Sequence, residues 1–156
     1  MLNELEPGLL PQDVFEAIAR LVVVPTFVII PLFRRDGETR VLLTRRDDGD
    51  THYAGLLHPA GKIMLATDES LTAIFERLIK SELPDISPVS PPVFVAQFFE
   101  TITRGKEIAL VHFLEIIDPK SGAETFDAAN LPSDVISTDL HRIERAVTAF
   151  ERLNAC

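Results

Sequence analysis

The sequence predicts an α+β protein, a sandwich in which helices cover a mixed β-sheet. Two pairs of apolar segments are each joined by a short polar turn, a pattern typical of β-hairpins. Amphipathic helical patterns lie before, between and after these hairpins. Hairpins provide antiparallel pairs, and an intervening helix allows a parallel pair, so both kinds are expected in one sheet.

The first elements are a helix and a hairpin. A helix is predicted over 11–21, because Val14, Ile18 and Leu21 recur at helical spacing and Pro11 suits a first turn. The β-branched and aromatic segment 22–33 is predicted to be a buried strand. The turn residues 35–38 then connect it to a second strand over 40–46.

The central helix is predicted to begin near Thr67 or Asp68, either of which could cap it, and to end before Pro84. A polar loop over 47–53 and an apolar segment over 55–64, which Pro59 and Gly61 interrupt, precede it. Its apolar face contains Leu71, Ile74, Phe75, Leu78 and Ile79.

The last part of the chain contains the second hairpin and a final helix. An extended connector at 87–92 leads to strands over 94–102 and 107–117, which flank the turn 103–106. A polar loop over 118–134 precedes a helix that begins at about Thr138. Its predicted inward residues are Leu140, Ile143, Val147 and Phe150.

Length and composition limit the class of protein. The 156 residues fit one domain over 1–156, with an N-terminal helix at 11–21 and a core at 22–153. The 15 Lys and Arg against 24 Asp and Glu give a net charge of −9, which argues against a duplex nucleic-acid partner. The single cysteine, Cys156, excludes an intrachain disulfide and a cysteine metal cluster, and we interpret it as an inert thiol.

We expect a cytoplasmic protein that does not span a membrane. No segment reaches the roughly 18 apolar residues of a membrane span. The first residues, MLNELEPG, lack the basic region of a signal peptide.

The segment at 56–82, LLHPAGKIMLATDESLTAIFERLIKSE, leads from an apolar strand through a Pro-Gly loop into an amphipathic helix. It resembles the box of the Nudix diphosphate hydrolases, G-x5-E-x7-R-E-U-x-E-E-x-G-U, where U is apolar. HPAGKI at 58–63 is similar to the loop that precedes the box helix, and Leu78 occupies its buried apolar position. DVISTDL at 134–140 resembles the start of the family's last helix. The resemblance implies an α/β/α sandwich and Mg²⁺ held by box glutamates.

The box is degenerate at the positions that hold metal in the family. With Leu78 as the anchor, the Arg-Glu pair aligns with Glu76-Arg77 and the Glu-Glu pair with Lys80-Ser81. The first Glu falls on Asp68 after a one-residue insertion. Mg²⁺ prefers carboxylate oxygens, and an ammonium at Lys80 would repel it.

The resemblance and the nearby charges give a set of candidate site residues. The candidate catalytic residues are Glu76 and Glu82, and a weak cation site is predicted from Asp68, Glu69 and Glu76. The candidate substrate-binding residues are Arg45, Arg46, His58, Gly61, Lys62, Arg77 and Lys80. Further candidates are His52 and Tyr53 for stacking, and Glu100, Glu107, Glu115 and Asp118 for a late-chain base. His112 is interpreted as a face residue of a strand.

Each of these candidates has a simpler interpretation. Glu76 and Lys80 fit an ordinary i,i+4 ion pair, and His58 fits a loop histidine bonded to backbone, and we prefer both of these interpretations.

Three functional hypotheses remain open. The first is a hydrolase of a nucleoside-diphosphate-type substrate, in which Lys80-Ser81 replaces the metal-binding Glu pair. The second is a non-catalytic nucleotide-binding or protein-interaction module on the same fold. The third is a metal-free hydrolase that uses His58 and Lys80. In addition, the apolar strands 94–102 and 107–117 could support a homodimer.

Overall fold

The computed structural model describes residues 8–119 and 121–155, so Cys156 lies outside the described residues. Its helices are α1 (Gln12–Ala19), α2 (Leu71–Glu82) and α3 (Ser137–Asn154). Its strands are β1 (Val24–Arg35), β2 (Glu38–Leu42), β3 (Thr44–Arg45), β4 (Leu57–His58), β5 (Ala60–Ile63), β6 (Val93–Ile102), β7 (Gly105–Glu115) and β8 (Thr125–Asp127). No helix in these ranges is long and apolar enough to cross a membrane.

The main sheet is mixed, as predicted. Its strands lie in the order β6-β7-β1-β2-β8, and β5 pairs with β1 beside this path. β1 and β7 run parallel from the Val24–Glu107 pair to the Leu32–Glu115 pair, while the other pairs of this sheet are antiparallel. β3 and β4 form a separate two-stranded sheet. The predicted hairpins are β1–β2 and β6–β7.

Two helices cover the two faces of this sheet and confirm the α/β/α sandwich. Successive side chains of a strand point to opposite faces, so β1 contributes to two cores. Val28 and Ile30 pack with Ile143 of α3, whereas Phe27 and Ile29 pack with Leu78 of α2. β1 is buried without interruption over residues 27–33, because a helical layer covers each of its faces.

The two hairpins turn with different residues. Between β1 and β2, Asp36 and Gly37 have φ angles of 53° and 84°, the left-handed conformations that a tight two-residue hairpin turn requires. At the start of β7, Gly105 has a φ of 142° and packs against the end of α1. A Cβ at this position would lie 2.2 Å from the carbonyl oxygen of Ala19. The absence of a side chain therefore allows α1 to approach the second hairpin.

Two helix boundaries differ from the prediction. The N–H of Leu21 bonds the carbonyl of Ile18, a tighter turn that ends α1 at Ala19 and leaves Leu21 exposed. α2 begins at Leu71, where the Ser70 hydroxyl caps the helix by accepting from the N–H of Ala73 at 3.1 Å. Asp68 does not cap α2, because its carboxylate accepts from the N–H of Leu65.

The inward faces of α2 and α3 also differ from the prediction at single positions. Leu71 and Leu140 are exposed, whereas the charged residues Asp139 and Arg142 are buried. Carboxylates from neighbouring strands neutralise Arg142, which allows a charged residue to occupy an inward position of α3.

Candidate functional site

A cleft of about 400 Å³ lies between α2 and the first turns of α3, with β1 and β5 as its floor. Five cationic side chains line it, Arg46, Lys62, Arg77, Arg104 and Arg142. Among the described residues its acidic lining consists of Glu82, Glu107 and Asp139. The lining is therefore richer in cations than the chain as a whole, whose net charge is −9.

Arg77 is the first residue that α2 presents to this cleft. Its guanidinium donates to both carboxylate oxygens of Asp68, at 3.0 and 2.8 Å, and to the carbonyl of Ile63 at 2.8 Å. The hydrogen bond from Arg77 lowers the pKa of Asp68 below its usual value. Arg77 thus joins α2 to the end of β5 and to the loop that precedes the helix.

Ser81 and Glu82 complete the side of α2 that faces the cleft. The Ser81 hydroxyl donates to the carbonyl of Arg77 at 2.9 Å, within the helix. The Glu82 carboxylate lies 2.6 Å from the ammonium of Lys62 on β5. In the described part of the chain, Glu82 is therefore the single carboxylate that α2 brings to the cleft, and it is already paired.

Glu76 and Lys80 lie on the other side of α2, contrary to the predicted arrangement. Together with Phe75 and Ile79 they line a separate groove of about 330 Å³. Residues four apart share one helix face, so Glu76 and Lys80 point outward together while Arg77 and Ser81 point to the cleft. The structure does not bring Glu76 or Lys80 into one site with His58.

The described residues do not bring the three carboxylates of the predicted cation site together. Asp68 and Glu69 precede the first residue of α2, the Asp68 carboxylate contacts Arg77, and Glu76 points outward. Within residues 8–119 and 121–155 no three His, Cys, Asp or Glu side chains are grouped so that they could hold a metal ion. A guanidinium, a hydroxyl and a paired carboxylate on α2 do not fit Mg²⁺, which requires hard oxygen ligands.

His58 is a buried histidine whose two ring nitrogens both have protein partners. Nδ1 lies 2.6 Å from the carbonyl oxygen of Pro59, and Nε2 lies 3.3 Å from the hydroxyl of Thr44. Burial, and then the charge of Arg46, lower the pKa of His58 to about 4. A neutral ring that donates from Nδ1 and accepts at Nε2 is stable here, and it offers no free nitrogen to a ligand.

Adjacent arginines at the end of β3 have different surroundings. Arg45 points away from the cleft, where its guanidinium contacts Glu124, Asp134 and the carbonyl of Gly55. Arg46 lines the cleft, and its Nε is buried without a hydrogen-bond partner among the described residues. Its one ion pair is with Asp50, at 3.5 Å. Arg46 therefore retains donor capacity that the described protein groups do not use.

The loop after Arg46 and the turn of the second hairpin form one wall of the cleft. The Tyr53 hydroxyl lies 2.8 Å from that of Thr103, and both Tyr53 and Arg104 line the cleft. His52 contacts Glu16 of α1 at 3.6 Å and lines a side pocket together with Arg46 and Arg104. The sequence places Arg104 in the turn of the second hairpin, and no local pattern indicates that this turn reaches the cleft.

A charge cluster lies opposite α2 and is defined here as the buried residues Arg142, Glu107 and Asp139, which line the cleft, together with the half-buried Glu100 behind them. The Arg142 guanidinium lies 2.6 Å from Glu100, 2.7 Å from Glu107 and 3.3 Å from Asp139. Glu107 also accepts from the hydroxyl of Thr26 at 2.9 Å. Burial raises the pKa of Asp139 to about 6, although Arg142 acts in the opposite direction. Glu100 and Glu107 are among the candidates predicted from the sequence, whereas Asp139 and Arg142 are not.

The remaining candidates lie elsewhere. Asp118 forms an ion pair with Arg35, and His112 is buried in β7 with its ring stacked on Phe27 at 4.3 Å between centroids. Of the predicted site residues, the cleft brings together Arg46, Tyr53, His58, Gly61, Lys62, Arg77, Glu82 and Glu107. Its lining does not include Arg45, Glu69, Glu76, Lys80 or Glu115.

Solved structures with the same fold are Nudix domains. The Nudix domain of Shewanella oneidensis NrtR, complexed with ADP ribose, is 16% identical with a TM-score of 0.62, over 92% of this chain and 99% of that one. A mutT/nudix family protein from Listeria innocua is 15% identical with a TM-score of 0.64, over 85% and 96%. The Ap4A hydrolase of C. elegans is 10% identical with a TM-score of 0.59, over 83% and 99%.

Comparison by sequence gives no such relationship. No family model and no curated protein matches the chain. The solved structures show that the chain has the Nudix fold, and its activity has to be argued from its own residues.

Proposed function

We propose that the cleft binds a small molecule that contains a diphosphate, such as a nucleotide, and that the chain is a binding module. The observation that carries this proposal is the Arg46 guanidinium, which lines the cleft, is 31% exposed, and among the described residues forms one ion pair, with Asp50 at 3.5 Å. The exposed part of this guanidinium therefore keeps N–H donors that a ligand oxygen in the cleft can accept from. A guanidinium presents forked donors that match phosphate oxygens.

The size and charge of the cleft support the same ligand class. Its volume of about 400 Å³ is within the range of small-molecule sites. Arg104 lies on the same side pocket as Arg46 and forms no ion pair with residues 8–119 or 121–155. Two arginines with available donors can therefore approach one phosphate group from the same wall.

We do not propose the metal-dependent hydrolysis that the resemblance to the Nudix hydrolases implies. Metal ions in such sites neutralise phosphate charge and activate water, which requires carboxylate ligands on the box helix. The side of α2 that faces the cleft carries Arg77, Ser81 and a Glu82 that is paired with Lys62. His58 offers no replacement base, because both of its ring nitrogens already have protein partners.

Calorimetric titration tests the binding proposal. We expect ADP ribose, ADP or inorganic diphosphate to bind in the presence of EDTA, and Arg46→Ala to weaken binding about ten- to a hundredfold, the effect of one charged hydrogen bond. Arg46→Lys should recover only part of the affinity, because an ammonium lacks the fork. The matched control is Arg145→Ala, since Arg145 is exposed on α3 outside the cleft.

Two results would contradict the proposal. Mg²⁺-dependent product formation that Glu82→Gln abolishes would favour the hydrolase hypothesis. If none of the three ligands binds, or if Arg46→Ala and Arg145→Ala bind equally, the cleft is not a diphosphate site and a protein-interaction module becomes the better hypothesis.

A designed gain of metal binding tests which residues of α2 face the cleft. Arg77→Glu combined with Ser81→Glu places two new carboxylates beside Glu82, and we expect it to bind Mg²⁺ in calorimetry. The matched control, Lys80→Glu with Ser81→Glu, sends one of its carboxylates to the outer groove and should bind Mg²⁺ less tightly. Equal affinity of the two variants would contradict this orientation of α2.

A further inference from the structure

β6 lies at one edge of the main sheet. Within the described ranges it pairs with β7 on one side, and no strand lies on its other side. An irregularity at Val95 shifts the register from the Phe94–His112 pair to the Ala96–Val111 pair. The regular part of this edge is therefore Ala96–Ile102, and alternate N–H and carbonyl groups along it point away from the sheet without a partner strand.

Apart from the irregularity at Val95, this edge lacks the features that usually prevent strand edges from pairing with another chain. Strand edges that are protected from pairing commonly carry lysine, proline or an outward charge. The segment AQFFETI at 96–102 contains one charged residue, Glu100, and no proline. The Glu100 carboxylate contacts Arg142 at 2.6 Å and His141 at 2.5 Å, so its charge is already paired.

The sheet face beside this edge is apolar and open. Phe94 and Phe99 are exposed on the α2 side of the sheet, in a part of that face that α2 does not cover. Phe99 pairs with Ile108 of β7, and the ammonium of Lys106 lies 5.6 Å from the centre of its ring. Phe94 contacts His112, which lines a groove of about 690 Å³ between α2 and the segment 88–92. The exposed aromatics thus continue an apolar groove.

We infer that the occupant of this edge is β6 of a second copy of the chain, in a two-fold antiparallel pair. Only another strand supplies the alternating donors and acceptors that the edge leaves unpaired, and one strand paired antiparallel with its own copy closes the assembly at two chains. Each copy carries a net charge of −9, so most approaches bring like charges together. Approach at β6 reduces this repulsion, because the hairpin segment 93–106 carries Arg104 and Lys106 against the single carboxylate of Glu100.

Sedimentation velocity and light scattering test the inference. We expect the wild-type chain to have twice the mass of one chain, and Phe99→Lys to have the mass of one chain with an unchanged circular dichroism spectrum. The matched control is Leu153→Lys on α3, because Leu153 is 62% exposed and Phe99 is 63% exposed. This control should remain at twice the mass.

A wild-type chain that stays at the mass of one chain overturns the inference and leaves the edge for a different protein. Larger open-ended assemblies overturn it as well, because a two-fold pair closes. If Phe99→Lys keeps twice the mass of one chain, the contact between the two copies lies elsewhere and the inference is wrong.

Hydrogen exchange separates pairing through the strand edge from contact through side chains alone. In a two-fold β6 pair, the outward amides of residues 96–102 are protected in the wild-type chain and lose this protection in Phe99→Lys. The protection should also fall as the wild-type chain is diluted. A dimer in which these amides exchange as fast as in Phe99→Lys contradicts the strand pair, even if the mass is doubled.

Discussion

Arg77 of α2 and Arg142 of α3 face the same cleft from opposite walls, and each bonds carboxylates. The Arg142 side chain is 5% exposed and bonds three acids, whereas that of Arg77 is 30% exposed and bonds one. The pKa values of the aspartates beside these two arginines shift in opposite directions. The hydrogen bond from Arg77 lowers the pKa of Asp68, while burial raises that of Asp139 to about 6.

The exposure of the two aspartate side chains is similar, 10% for Asp68 and 11% for Asp139, so the difference lies in the hydrogen bonds that each carboxylate accepts. The Asp68 carboxylate accepts two hydrogen bonds from Arg77 and one from the N–H of Leu65, and these bonds favour its charged form. Asp139 contacts the Arg142 guanidinium only at 3.3 Å, and Glu100 and Glu107 bond the same guanidinium at shorter distances, so this contact does not offset the burial of the charged form of Asp139. The cleft therefore has one wall whose charges are stable over a wide pH range and one that takes up a proton near pH 6.

Removal of Arg142 should have the largest effect. Arg142→Ala leaves the buried carboxylates of Glu107 and Asp139 without a counter-charge, so we expect the free energy of unfolding to fall by about 3–5 kcal/mol. Urea denaturation measures this change. Arg145→Ala, three residues further along α3 and exposed, should stay within about 0.5 kcal/mol of the wild type. Similar losses in both variants would show that the Arg142 cluster is not energetically distinct.

The proton taken up by Asp139 should appear in the pH dependence of stability. Because its pKa is higher in the folded chain than its ordinary value of 3.8, the folded state binds more protons between about pH 4 and pH 6. Stability from this group is therefore lost as the pH rises through that interval. We expect Asp139→Asn to gain about 2–3 kcal/mol relative to the wild type between pH 4 and pH 6.

The quantity to measure is the difference in the free energy of unfolding between the wild type and Asp139→Asn, because the pKa of His58 shifts in the opposite direction to that of Asp139. Its pKa is lowered to about 4, so stability from His58 is lost as the pH falls below 6.5. His58 is present in both proteins and cancels in their difference. A difference that is independent of pH between 4 and 6 would contradict a protonated Asp139.

Removal of Arg77, which is half-buried, should have a smaller effect on stability than removal of Arg142. Arg77→Ala removes a bidentate pair near solvent and one bond to a carbonyl, so we expect a loss of about 1–2 kcal/mol. Arg77→Lys should recover part of it, and 1 M salt should reduce the difference between wild type and Arg77→Ala. A loss as large as that of Arg142→Ala would remove the distinction between the two walls.

The sequence predicts the layers of this fold better than it predicts the cleft. Two hairpins and the helical spacing of Ile74, Leu78 and Ile143 are local patterns, and the sandwich follows from them. The burial of Asp139 and Arg142 depends on strands far along the chain, since Arg142 bonds Glu100 and Glu107 at separations of 42 and 35 residues. No local pattern contains that pairing.

The orientation of α2 shows the same limit within one helix. The apolar residues identify which side is buried, but the remaining polar residues divide between two exposed sides. Glu76 and Lys80 face one groove and Arg77 and Ser81 the other, which depends on where β5 and the segment 88–92 lie. The cap is a related case, because Asp68 and Ser70 both suit an N-cap and the choice depends on Arg77.

Gly105 has a consequence for the mutational tolerance of the second hairpin. Turn positions usually accept many substitutions, yet a Cβ here would overlap the carbonyl oxygen of Ala19, a backbone atom that cannot rotate away. Any other residue would have to displace the end of α1, which packs against the wall that carries Arg104. In a saturation library selected for ligand binding, position 105 should therefore remain glycine while the adjacent Thr103 varies.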